Sequence, residues 1–130
     1  MTIEANWKAS QNTTVCELSN GSGRWKADVD PGIGGDPALP NPHQLLDAAL
    51  AACTTLTLQL YAKRRNYPVE EVVVTVDHEE ASGVYTMKRG VTVRGNGLTQ
   101  EALDDLLRVA NRCPVHKTLS GQFNIETSLR

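Results

Sequence analysis

The sequence predicts an α+β fold, with an antiparallel sheet packed on a long buried central helix. Its patterns run strands, long helix, two strands, helix, strand. That order segregates helices from sheet instead of alternating them one by one. Leu46, Leu50, Cys53, Thr57 and Leu60 recur at three- and four-residue spacing, the helical period. Val72, Val74 and Val76 alternate with Val73 and Thr75, the period of a strand.

Taken in order, Ile3–Ala9 places Ile3, Ala5, Trp7 and Ala9 at alternate positions, so a first strand is expected, closed by polar Gln11-Asn12-Thr13. Thr14–Ser19 and Trp25–Val29 are the next strand-like runs, split by the turn cluster Asn20-Gly21-Ser22-Gly23. Asp30 to Pro42 holds four of the six prolines and three glycines. A stretch this long with no period is a loop, either functional or a plain surface connection. Asn41 is a good N-cap and Pro42 suits the first helical position, so the long helix is expected to begin here and carry the run Leu45 to Arg65. Ala49, Ala52 and Leu56 widen its apolar face until little polar surface remains. Such a helix belongs in a larger core or at an oligomer interface. Lys63, Arg64 and Arg65 suit its carbonyl end, and Asn66 and Pro68 stop it.

Val69–Glu80 and Tyr85–Arg94 read as two strands joined by a turn at Ser82-Gly83, the second ended by Asn96-Gly97. Thr99 is placed to cap a second helix whose apolar face is Leu103, Leu106, Leu107 and Ala110. That helix stops at Cys113-Pro114, a short turn or helix follows at Val115–Leu119, and Phe123–Leu129 is expected as a last strand. With no repeat and no linker, residues 1–130 read as a single domain.

Composition narrows the function classes. Thirteen Lys and Arg against 15 Asp and Glu give a net charge of −2, which argues against a broad basic face for nucleic acid. The stretch Leu45 to Leu60 is broken by Asp47, Gln59 and several threonines, and reads as too short and too polar to span a bilayer. No leader pattern follows Met1, so the cytoplasm is expected. The three cysteines are odd in number and far apart, at Cys16, Cys53 and Cys113, which argues against a secreted disulfide framework.

Those cysteines are the chemistry-bearing residues. Cys53 sits mid-helix, where a free thiol is ordinarily a small core hydrophobe; as a thiolate it would need a nearby cation or hydrogen-bond donor. Cys113 precedes Pro114 and is placed as the N-cap of the Val115–Leu119 segment, where free backbone N–H groups would lower a thiol pKa, with His116 and Lys117 adding positive field. It is otherwise an unreactive helix-ending residue. Cys113-x-x-His116 lacks the second close ligand pair that structural zinc needs, and no Walker loop, G-x-S-x-G or G-x-G-x-x-G is present. Neither a metal nor a cofactor is expected. Cys16 reads as a bystander.

The segment from Asn41-Pro42-His43-Gln44-Leu45 to Ala51-Ala52-Cys53 resembles the N-P-E-x-L…A-A-C helix of the OsmC/Ohr family, the osmotically inducible and organic hydroperoxide resistance proteins. Arg112-Cys113-Pro114-Val115-His116 resembles that family's second cysteine motif, which begins C-P-V. The resemblance is clearest from about Gly34 to Arg130. It implies an OsmC-like fold, an intertwined homodimer and a thiol peroxidase acting on hydroperoxides. By its pattern Cys53 would be the peroxidatic thiol and Cys113 the resolving one, joined as a disulfide and restored by an external dithiol, lipoyl-linked in some members. The family's usual acid falls on His43 here, with Gln44 beside it, and Arg24 is the upstream candidate for its activating arginine. Arg24, His43, Gln44 and His116 are therefore the expected activating or substrate-positioning residues. The alternative is a non-enzymatic dimer binding a small hydrophobic or electrophilic molecule in an interface pocket.

Overall fold

A computed structural model describes residues 2–130. They cluster into two compact units, one ending at Leu46 and the other beginning at Asp47. In the first unit, β1 (Glu4–Asn6), β2 (Cys16–Ser19) and β3 (Arg24–Ala27) pair antiparallel in that order, with Ala5 opposite Leu18 and Leu18 opposite Trp25. The first strand is shorter than its alternation predicts. The Trp7 indole N–H turns to the Thr13 carbonyl at 2.7 Å, and a 3-10 turn occupies Ala9–Gln11. The expected Asn20 turn is present: the Asn20 Oδ1 accepts from the Ser22 and Gly23 amides at 3.0 and 2.7 Å, the local bond that makes Asn a turn residue.

Asp28 organises the loop that follows. Its buried carboxylate accepts from the Thr14 hydroxyl at 2.5 Å, the Val29 amide at 2.8 Å and the Asp36 amide at 2.8 Å. Led by the Thr14 hydroxyl, these bonds hold its pKa below the ordinary carboxylate value. Gly35 is required there, because a Cβ would meet the Val29 carbonyl oxygen at 1.8 Å.

The long helix α1 spans Pro42–Arg64 and starts where the N-cap predicts. The Asn41 Oδ1 accepts from the Gln44 amide at 2.9 Å while the Gln44 Oε1 accepts from the Asn41 amide at 3.0 Å. This is a reciprocal capping box.

In the second unit, β4 (Glu71–Ala81) and β5 (Val84–Arg94) pair along their full length, from Glu71 opposite Arg94 to Ala81 opposite Val84. The two-residue turn Ser82-Gly83 has φ of 54° and 77°. Positive φ at both positions matches the right-handed twist of the flanking strands, and glycine takes it without steric cost. Helix α2 (Gln100–Ala110) is capped by the Thr99 hydroxyl accepting from the Ala102 amide at 3.1 Å, and α3 is Pro114–Leu119. Leu58 and Ala62 of α1 pack with Leu106, Val109 and Ala110 of α2, covered by Val72, Val91 and Val93 of the hairpin.

Three expectations are corrected. The buried row of α1 is Asp47, Leu50, Thr54, Leu58 and Ala62, not the row through Leu46 and Leu60, which are 42% and 56% exposed. A helix apolar nearly all round carries no periodic signal for which stripe a single chain buries. At 23 residues, with a mean hydropathy of 1.3 in its most apolar 18-residue window, α1 is also long and apolar enough to cross a membrane by length and composition, although the core helix of a globular protein passes the same test. Its buried row includes Asp47, bonded to His78 and Tyr85 of the hairpin. Finally, Phe123–Leu129 forms no strand, and Phe123, Ile125 and Leu129 are exposed. Alternation supplies an apolar row but not the neighbouring edge that a strand needs for its hydrogen bonds.

Candidate functional site

The site is built around Cys113, and each wall comes from a different element of the second unit. Cys113 is the N-cap of α3, in extended backbone conformation (φ −62°, ψ 139°), and its sulfur accepts from the His116 amide at 3.3 Å. The side chain is fully buried. Cys53 and Thr54 are consecutive on α1, so they point about 100° apart around the helix. Thr54 therefore falls in the buried row while Cys53 is half-buried at its flank. The Thr54 hydroxyl lies 3.7 Å from the Cys113 sulfur, and the Cys53 side chain lies close to Cys113. Both cysteines are free thiols, as is Cys16 on β2.

Strand β5 contributes the cation. Tyr85, Met87, Arg89, Val91 and Val93 make its half-buried face, and Arg89 is the charge in that row. Its Nη1 donates to the Thr54 Oγ1 at 3.0 Å and to the Cys113 Sγ at 3.9 Å, and its Nη2 donates to the Asn111 Oδ1 at 2.9 Å. Nη2 also meets the His116 Nδ1 at 3.0 Å. A guanidinium has donors only, so Nδ1 accepts, which makes the imidazole neutral with its proton on Nε2. The planar fork is thus held by groups from α1, the end of α2 and α3.

Two opposed effects act on the Cys113 thiol. Burial pushes it up, but the His116 amide, the Thr54 hydroxyl, the Cys53 side chain and the Arg89 charge outweigh burial, leaving its pKa below the ordinary thiol value. The thiolate is the nucleophilic form, and the arrangement sets one buried sulfur, close to a second and more accessible one, among groups that favour it.

A cavity of about 280 Å³ adjoins Arg89 and His116, bounded also by Leu50, Met87 and Leu119 and by Tyr85. Next to it, Asp47 accepts from the Tyr85 hydroxyl at 2.7 Å and bonds the His78 Nδ1 at 2.5 Å, and the His78 ring stacks on Tyr85 at 4.8 Å. Burial, then the Asp47 carboxylate, raise the Tyr85 pKa, which keeps its hydroxyl a donor.

Among the residues singled out from sequence, the structure brings Cys53, Cys113 and His116 together. Gln44 is engaged in the capping box with Asn41, and His43 lies exposed in the first turn of α1. Arg24 forms an exposed ion pair with Glu17 at 2.9 Å. Sequence reasoning missed Arg89, Thr54 and Asn111. The available signals were an arginine in the apolar row of a strand and a threonine in the apolar row of a helix. No group of three or more His, Cys, Asp or Glu side chains suited to a metal occurs among the described residues.

Residues 34–128 match the family model described as OsmC-like protein. Solved structures of the same fold include an OsmC-like protein from Mycoplasma pneumoniae, at 18% identity over 92% of this chain and 86% of that one, with a TM-score of 0.75. An OsmC-like protein of unknown function from Vibrio cholerae is 17% identical over 92% of both chains, with a TM-score of 0.71. An organic hydroperoxide resistance protein from Elizabethkingia anophelis is 22% identical over 92% of this chain and 86% of that one, with a TM-score of 0.65. Likenesses at these identities establish the shared fold. No curated protein matches the chain.

Proposed function

The chain belongs to the OsmC-like protein family, and from that premise we propose that it is a thiol-dependent hydroperoxide reductase in oxidative-stress defence, working through Cys53 and Cys113. The observation that carries this reading is the contact between two free thiols, one half-buried and one fully buried among hydrogen-bond donors. Some structural neighbours are themselves described as organic hydroperoxide resistance proteins.

In the first step the Cys53 thiolate, the sulfur a peroxide can reach, attacks the peroxide oxygen. The O–O bond breaks, the alkoxide leaves and takes a proton to become the alcohol, and Cys53 becomes a sulfenic acid. The Cys113 thiolate then attacks the Cys53 sulfur. An S–S bond forms, the S–O bond breaks, and the departing hydroxide becomes water on protonation. An external dithiol, lipoyl-linked in some members of the family, reduces the disulfide by exchange and is itself oxidised. The working form in this proposal is a cytoplasmic homodimer.

Mass spectrometry after one equivalent of an organic hydroperoxide tests the scheme. The expected product has lost two hydrogens and carries a Cys53–Cys113 linkage. Oxygen adducts at Cys53 with Cys113 untouched would overturn the two-cysteine reading. The cavity beside Arg89 favours one second reading, a non-enzymatic protein that holds a small hydrophobic molecule. Peroxide consumption with a dithiol no faster than that of a free thiol, with ligand binding retained, would select it.

A further inference from the structure

Resting on the hydroperoxide reading, we propose that Arg89 is a positioning residue for Cys113, so that the thiol set beside a cation in this chain is the resolving one. The Arg89 Nη1 reaches the Cys113 sulfur at 3.9 Å and the Thr54 hydroxyl at 3.0 Å, while Nη2 is pinned by Asn111 at 2.9 Å and His116 at 3.0 Å. The guanidinium is thus held on both prongs. The His116 amide adds a second donor to the same sulfur at 3.3 Å. The charged and titratable groups facing Cys113 are Arg89 from β5, His116 from α3 and Cys53 from α1. His116 is neutral in this arrangement, so Arg89 supplies the positive charge.

The chemistry gives this a purpose. Once Cys53 is a sulfenic acid, two nucleophiles compete at it. The Cys113 thiolate closes the disulfide and expels hydroxide. A second hydroperoxide instead delivers another oxygen, forming the sulfinic acid and an alcohol, and the sulfinic acid is not restored by thiols. A thiolate already formed in contact with Cys53 favours closure. Arg89 therefore protects Cys53 from overoxidation by readying Cys113.

Ultraviolet thiolate absorbance against pH in Cys16→Ser/Cys53→Ser reads Cys113 alone and needs no reagent to enter the core. In that background Cys113 is expected to ionise below the ordinary thiol value of about 8.5. Adding Arg89→Met should raise the midpoint by about one unit, roughly a tenfold loss of thiolate at a given pH below it. Arg89→Lys, which keeps the charge but not the fork, should recover part of the shift. Asn111→Ala, which frees one prong, should raise the midpoint less than Arg89→Met and still reports if that variant does not fold. Midpoints unmoved in the folded Arg89 and Asn111 variants would overturn the assignment.

A second arm treats the Cys16→Ser and Cys16→Ser/Arg89→Met proteins with tert-butyl hydroperoxide. Several-fold more Cys53 sulfinic acid in the Arg89 variant is the expected result, and equal amounts would overturn the protective role. Cys53 unoxidised in both would sink the hydroperoxide reading while leaving the titration to decide the link between Arg89 and Cys113.

Discussion

Thr54 carries more of the site than its size suggests. A hydroxyl has one proton. With that proton given to the Leu50 carbonyl at 2.7 Å, the oxygen is free to accept from Arg89 and from a protonated Cys113; with Cys113 ionised, the proton can turn to the sulfur. Thr54→Val keeps the shape but leaves the Arg89 Nη1 short of its best acceptor, and should cost about 1–3 kcal/mol in urea unfolding besides raising the Cys113 midpoint. Asp105 offers a pH test away from the thiols. It accepts from the Tyr67 and Tyr61 hydroxyls at 2.6 and 2.8 Å, and these bonds, Tyr67 first, hold its pKa below the ordinary value. A depressed folded-state pKa stabilises the fold above the unfolded carboxylate value of about 3.9 and loses that contribution as pH falls through the folded value. The stability gap between wild type and Tyr67→Phe should therefore be widest at neutral pH and close below about pH 4, measured by denaturant titration at each pH. At this scale the two cysteines and His116 were legible, because they stand in recognisable local motifs. Arg89 was not, since an arginine in an alternating strand reads as solvated until its neighbours are known.

At the scale of elements, caps and turns were legible because their signals lie within a few residues. Asn41, Thr99 and Cys113 cap their helices as placed, and Ser82-Gly83 makes the hairpin turn. Asn41→Ala should cost about 1 kcal/mol, measured by thermal or denaturant unfolding. The stripe of α1 that the chain buries was misread, because alanine and leucine surround the helix and several rows look equally apolar. Leu58 is fully buried among Ala62, Leu106 and Val109. Leu58→Ala should therefore cost about 2–5 kcal/mol, whereas Leu60→Ala, at an exposed position, should cost far less in the monomer.

For the whole molecule, the single chain leaves Leu46, Leu56 and Leu60 of α1 exposed, together with Phe123 and Ile125 near the end. Large exposed apolar residues along one helix mark an interaction surface, and the proposed homodimer would cover them. Sedimentation should give a dimer, and Leu56→Glu should shift it toward monomer by burying a charge at that surface; a monomeric wild type would remove the dimer from the proposal.

The sequence by itself determined the order of elements, their caps and turns, and the presence of two cysteine motifs, since each rests on short-range periodicity or a local hydrogen bond. Only the tertiary structure decided that Arg89 and Thr54 converge on Cys113 and that Asn111 holds Arg89 there. These residues come from separate elements, and their meeting depends on which face each element buries. A helix apolar on nearly every side leaves that choice to packing.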